Sequence, residues 1–208
     1  MSRVQNYFQN YDSPKIKEYC TELLNEAPID FSSIIQLAQK LTLLDAELKS
    51  SNYKQRNFMA ENMYGNYVGL LYDNYPEMMH TDAEDRPYVK LAEDVRIYPK
   101  KLNEKYLPSN IKTDHVKKLD SQQLSIDDKK IHVLYCGYIL TDQIWPNKLK
   151  GCYISFVNTY YPSKIEWVLD ADDFRKGKII ELPIHVQQIE ERLVSAKRNF
   201  PATGEAGL

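Results

Sequence analysis

The chain has 208 residues, of which 43% are hydrophobic and 27% charged, and its net charge at pH 7 is −2. This length is enough to bury a core, either as one domain or as two small lobes. The slightly negative charge excludes a global electrostatic attraction to nucleic acid or to an anionic membrane. Binding to nucleic acid or to an anionic membrane would therefore require a local basic patch.

The cysteines and the start of the chain indicate the compartment. Cys20, Cys136 and Cys152 are an odd, widely spaced set, which argues against a disulfide framework and favours a reducing compartment. Residues 1–12 lack the apolar segment of a signal peptide. No apolar run reaches the roughly 18 residues that a membrane span needs. The chain is therefore predicted to be cytoplasmic, without membrane insertion.

Apolar residues at helical spacing predict a first helix that Pro28 ends, because the residue before a proline is disfavoured in a helix. Ser13 is expected to cap this helix, with Pro14 at its first position. The apolar stripe consists of Ile16, Tyr19, Cys20, Leu23, Leu24 and Ala27.

Two further helices are predicted before Pro76, separated by a turn around residues 50–52. Asp30 is suited to cap the first of them. Its inward face consists of Ile34, Ala38, Leu41, Leu44 and Leu48, and that of the next helix of Met59, Met63, Tyr67, Leu70 and Leu71. Because the connections are short, the helices are expected to pack as antiparallel neighbours.

The second half of the chain predicts mainly strands. Residues 77–87 are polar and acidic, which favours a boundary or a mobile loop. Strands are predicted at residues 95–98, 131–140, 152–161, 165–169 and 178–182. The middle three are close enough in sequence to form an antiparallel meander, with 131–140 apolar on both faces as a central strand. A closing helix follows Pro183.

The predicted fold class is therefore α+β, with N-terminal helices packed on a C-terminal antiparallel sheet and a closing C-terminal helix. The expected organisation is a helical lobe at 1–76, a mainly antiparallel β lobe with the last helix at 77–200, and a flexible tail at 201–208.

Asp170 and Asp172 form a D-x-D pattern directly after a predicted strand. Such paired carboxylates can hold a divalent metal and a phosphate, which would make the protein a metal-dependent hydrolase or transferase. The competing interpretation is that one of the two caps a short helical turn through Phe174.

The cysteines allow two further kinds of site. His132 and Cys136 share one face of a strand, and Cys152 on the next strand could complete a zinc site. Alternatively, Cys136 or Cys152 could pair with His115 or His185 as a nucleophile. Buried, inert cysteine is the commoner state, and no metal-binding spacing supports zinc.

Phosphate-binding glycine loops are absent from the sequence, and no cofactor is predicted. Basic residues cluster mildly at 100–101, 112–118 and 175–178. Acidic residues break or flank each cluster, so nucleic-acid binding is disfavoured.

Tyrosine is the most distinctive residue, with sixteen in the chain and five between residues 53 and 75. Tyrosine suits surfaces that are buried part of the time, because its ring is apolar and its tip polar. The predicted partner-binding residues are Tyr64, Tyr67, Val68, Tyr72, Tyr75, Met78 and Met79. The pattern is compatible both with contact to a partner and with burial in the cleft between the helices and the sheet.

Gly65 and Gly69 lie one turn apart on the same helix as these tyrosines. Each glycine costs a helix roughly 1 kcal/mol relative to alanine. Close approach of another helix would offset that cost. The approaching helix could be internal or could belong to a partner.

In its size, its tyrosine- and lysine-rich composition and its lack of catalytic motifs, the chain resembles the LvgA family of adaptors in the bacterial type IVB secretion (Dot/Icm) coupling complex. The resemblance implies binding to a small acidic chaperone pair and presentation of effectors to the coupling ATPase. It transfers no site residue, since no motif carries it.

The predicted function is thus a non-enzymatic, protein-binding adaptor or chaperone-like subunit of a multiprotein complex. The alternatives are the metal-dependent enzyme using Asp170 and Asp172, and an immunity protein that neutralises a toxin.

Overall fold

A computed structural model describes residues 12–48, 56–109, 125–126, 129–141, 148–158 and 164–177, all within the compact unit Met1–Lys178. The helices are α1 (Ser13–Glu26), α2 (Phe31–Leu48) and α3 (Arg56–Asn74). The strands are β1 (Met79–Thr81), β2 (Pro87–Ala92), β3 (Val95–Lys101), β4 (Ser125–Ile126), β5 (Lys129–Lys130), β6 (His132–Leu140), β7 (Leu149–Asn158) and β8 (Lys164–Asp170). The predicted α+β class is confirmed.

Side chains just before each of the first two helices cap them. Asp30 caps α2 as predicted, since its Oδ1 accepts a hydrogen bond from the Ser33 backbone N–H at 2.9 Å. The cap of α1 is Asp12, whose Oδ1 accepts from the Lys15 N–H at 3.3 Å, so the prediction of Ser13 was wrong by one residue. Aspartate and serine are both favourable N-cap residues. Asp12 is the cap because the helix already begins at Ser13.

Six strands form one sheet in the order β1-β2-β3-β6-β7-β8, and β4 and β5 form a separate hairpin. The antiparallel meander of β6, β7 and β8 is confirmed. The sheet is mainly antiparallel, as predicted, and the one parallel pairing among its described strands, which the sequence did not predict, is that of β3 with β6. About thirty residues separate these two strands, which is enough chain for the crossover that parallel strands require.

Part of the segment 77–87, predicted as a boundary or mobile loop, belongs to the sheet: β1 occupies 79–81, and only 82–86 form a turn between β1 and β2. Pro76–Met78 form a 3₁₀ turn, and Met79 then pairs with Val89 of β2. A strand of only three residues is too short to produce an alternating pattern, so the sequence shows only polarity here.

The helices cover one face of the sheet. On that face Ile97, Leu134, Phe156 and Trp167 form a cross-strand row of register partners. The opposite face carries a second cluster that includes Tyr88, Tyr98 and Tyr135, packed with the segment around Tyr106 and Leu107. Aromatic residues therefore contribute to the core on both sides of the sheet.

Several predictions concern residues outside the described ranges: the turn at 50–52, the strand at 178–182, the closing helix and the tail. The division into lobes at residue 76 stays a prediction.

A candidate protein-binding face on the third helix

One side of α3 lies on the surface of the described structure. We call it the α3 face and define it by Tyr64, Gly65, Val68, Gly69 and Tyr72. Tyr72 is 38% exposed, Tyr64 and Val68 are half-buried, and both glycines are exposed. The opposite side of the helix is buried through Met63, Tyr67, Leu70 and Leu71. Three of the seven predicted binding residues thus lie on this face.

The other predicted binding residues have different positions. Tyr67, Tyr75 and Met79 are buried, and Met78 is half-buried. The Tyr67 hydroxyl donates a long hydrogen bond, 3.4 Å, to the carbonyl oxygen of Cys136. Its ring also meets that of Tyr138 edge-on, with 6.4 Å between centroids. Tyr67 therefore fixes α3 to the sheet beneath the α3 face.

Gly65 and Gly69 have no close neighbour from another element among the residues that the structure describes. A Cβ atom added to either Gly65 or Gly69 would meet nothing within 4 Å. No described part of the chain therefore packs closely against either glycine. Their cost to the helix, roughly 1 kcal/mol each, is not offset by close packing of any described segment. Within the described structure, the space over the two glycines is an open recess that lies beside Tyr72.

The margin of the recess towards the sheet is aromatic and basic. The Lys100 ammonium lies 5.8 Å from the centroid of the Tyr64 ring. Burial raises the pKa of Tyr64, to which the neighbouring Tyr72 adds, while the positive charge of Arg86 acts in the opposite direction. A phenol on this margin stays protonated and can donate a hydrogen bond at neutral pH.

Carboxylates occupy the two ends of the face. Glu61 lies one turn before Gly65, Asp73 one turn after Gly69, and both are exposed. Among the described residues neither carboxylate has an ion pair. Together with Tyr72, they give the outer part of the face an acidic and aromatic character.

No protein-family model, curated protein or solved structure matches this chain. Within the described ranges, no helix is long and apolar enough to cross a membrane. The case for function therefore depends on the residues themselves.

The D-x-D carboxylates are engaged in local structure. Asp170 Oδ1 accepts a hydrogen bond from the Asp172 backbone N–H at 2.9 Å and caps the 3₁₀ turn Ala171–Phe174, as the capping interpretation predicted. Asp172 Oδ1 accepts from the Ser32 hydroxyl and, at 2.9 Å, from Arg175 Nε. The Ser32 hydrogen bond, followed by Arg175, holds the pKa of Asp172 below its usual value.

These contacts form a polar clamp that the sequence did not predict. Asp30 and Ser32 at the start of α2 are buried, and Asp30 Oδ2 accepts from the Lys176 backbone N–H at 3.1 Å. The Lys176 ammonium in turn donates to the carbonyl oxygen of Asn25 at 2.6 Å. About 140 residues separate the two sides, and no local pattern reports a contact over that distance.

In the part of the chain that the structure describes, no group of three or more histidine, cysteine or acidic side chains is placed to hold a metal ion. His132 and Cys136 on β6 and Cys152 on β7, the ligands of the predicted zinc site, therefore do not form such a group. The candidate bases His115 and His185 lie outside the described residues.

The thiols are buried and protonated. Burial raises the pKa of Cys20 and of Cys152 to about 12, and it also raises that of the fully buried Cys136. Activated cysteines show the opposite shift, because the thiolate is the reactive form.

We expect all three cysteines to react with Ellman's reagent at pH 8 at least about 100-fold more slowly in the native protein than in urea, since few thiolates form in the fold. Absorbance at the thionitrobenzoate band measures the rates, and peptide mapping assigns them. A cysteine that reacts equally fast in both states would contradict the burial and identify an activated thiol.

Proposed function

We propose that the protein is a non-enzymatic, protein-binding adaptor or chaperone-like subunit of a multiprotein complex, and that it binds its partner through the α3 face. One observation carries the proposal. The face exposes Tyr72 and half-exposes Tyr64 and Val68 around two helix glycines that no other element in the described ranges covers.

The physical chemistry of the face supports contact with a protein. Tyrosine is enriched in interface cores, where its ring gives contact area at low entropic cost and its hydroxyl keeps a polar contact. Paired glycines in a helix interior are unfavourable unless something packs against the recess they form. A partner would provide that contact.

The resemblance to the LvgA family supports a more specific setting. It suggests a cytoplasmic adaptor in a bacterial type IV secretion coupling complex, in contact with secretion chaperones and effectors. An immunity protein would use the same kind of face, and the identity of the bound protein separates the two roles.

Replacing Tyr64 and Tyr72 together with alanine is expected to reduce capture of the native partner at least tenfold, because clustered aromatic anchors carry most of the energy of an interface. The tagged variant is used for affinity purification from the native cell, and the captured proteins are quantified by mass spectrometry.

Tyr19→Ala is the matched control. Tyr19 is 37% exposed on α1, much like Tyr72, but lies outside the α3 face. Capture should be unaffected by Tyr19→Ala. If the tyrosine pair can be removed without loss of the captured proteins while both variants remain folded by circular dichroism, the α3 face is not the binding surface.

A further inference from the structure

We propose that the partner presents an α-helix to the α3 face, with small residues at its centre and a lysine or arginine near each end. This inference rests on the proposed function, and it names the chemistry of the partner. It follows from the shape of the face and from the placement of its charges.

The shape of the face favours a helix over an extended strand. The backbone of α3 is hydrogen-bonded within its own helix, so it offers no ladder to a strand. Gly65 and Gly69 lie about 6 Å apart along the axis, and a Cβ atom at either would meet nothing within 4 Å. Small residues one turn apart let two helix backbones approach closely, and this approach is best when the partner is also small at the crossing.

The charges favour a basic helix. Glu61 and Asp73 are exposed at the two ends of the recess, twelve positions apart, or about 18 Å along the axis. Glu77, also exposed, follows beyond Asp73. The Lys100 ammonium lies over the Tyr64 ring, on the side of the face towards the sheet. It therefore does not lie between the Glu61 and Asp73 carboxylates. Tyr72 adds an exposed ring that can bind a cation on its face.

The same charges disfavour a second copy of this chain as the occupant. In an antiparallel α3–α3 pair centred on the glycines, Gly65 faces Gly69 of the other copy, and Glu61 then faces Asp73. In a parallel two-fold pair, each carboxylate faces its own equivalent. Both arrangements place like charges at the two ends of the contact, which is unfavourable.

The inference can be tested with two synthetic helical peptides of about 20 residues, each stapled and labelled with fluorescein. Both have alanine and glycine at the centre. One carries arginine near each end, twelve positions apart, and the other carries glutamate there. Fluorescence anisotropy with the full-length protein should show binding of the arginine peptide at least about tenfold tighter than that of the glutamate peptide. Raising the salt from about 50 to about 300 mM should reduce the difference.

Two variants of the protein make the test specific. Glu61→Lys with Asp73→Lys should reverse the preference between the peptides. Gly65→Leu with Gly69→Leu should weaken the arginine peptide at least about tenfold, because the new side chains fill the recess. The recess is open, so both variants should keep the native circular dichroism spectrum.

Three results would overturn the inference. The first is equal affinity of the protein for the two peptides. The second is an unchanged preference for the arginine peptide in the variant Glu61→Lys with Asp73→Lys. The third is a concentration-dependent dimer in sedimentation that Gly65→Leu with Gly69→Leu dissociates, which would identify a second copy as the occupant. If neither peptide binds but the native partner is still lost with the Tyr64 and Tyr72 variant, the basic helix is excluded and the proposed function stands.

Discussion

Replacing Gly65 and Gly69 together with alanine is expected to stabilise the protein and to weaken partner binding. Alanine is favoured over glycine in a helix interior by roughly 1 kcal/mol per position. The added methyl groups meet nothing within 4 Å, so no clash reduces the gain. The free energy of unfolding, measured in urea, should therefore rise by up to about 2 kcal/mol. Capture of the partner should fall, because the methyl groups keep a neighbouring helix away.

The opposite signs make this variant informative. A substitution that merely damaged the fold would lower both stability and binding. Glu47→Ala, at an exposed position on α2, controls for helix propensity and should leave both nearly unchanged. If the double glycine variant is more stable and still binds fully, no close helix contact is made at the recess.

Gly137→Ala is expected to have the largest effect on stability. Gly137 lies in β6 opposite Lys100 of the parallel strand β3. A Cβ atom there would overlap the Lys100 carbonyl oxygen and lie 2.7 Å from its carbonyl carbon. Backbone atoms cannot move aside without disrupting the pairing of β3 with β6. We expect a loss of about 3 kcal/mol or more in the free energy of unfolding, at the upper end for overpacking.

Gly151→Ala on β7 is the matched control. A Cβ atom there would crowd the ring of Tyr153, with two ring carbons at 2.7 Å, but that ring is the end of a rotatable side chain. Its cost should be clearly smaller, and urea denaturation of both variants measures the difference. Equal stability of the two variants would show that β3 and β6 are not packed this closely.

Much of the fold could be predicted from local patterns. The ends of α1 and α3 follow from Pro28 and Pro76, because proline disfavours helix in the residue before it. The central strand β6 is apolar along nearly its whole length and is buried there, as expected for a strand covered on both faces. The meander follows from short connections, which leave antiparallel pairing as the available geometry.

Pairings between distant residues could not be predicted in this way. The parallel contact of β3 with β6 and the clamp of Ser32 with Asp172 depend on how the chain returns after a long separation. Local sequence patterns reflect only interactions between residues near each other in the chain, so they do not predict such contacts. The sequence likewise shows Met79 only as part of a polar segment, although β1 buries it at the edge of the sheet.

For the α3 face, the sequence by itself determined which residues share a side of the helix, since the helical repeat places Tyr64, Val68 and Tyr72 together. It did not determine which side is exposed. Apolar residues occur on both sides of α3, so the pattern has no strong polar side to mark the surface. The tertiary structure decided this, because Tyr67 and its neighbours pack on the sheet and turn the glycines and Tyr72 outward.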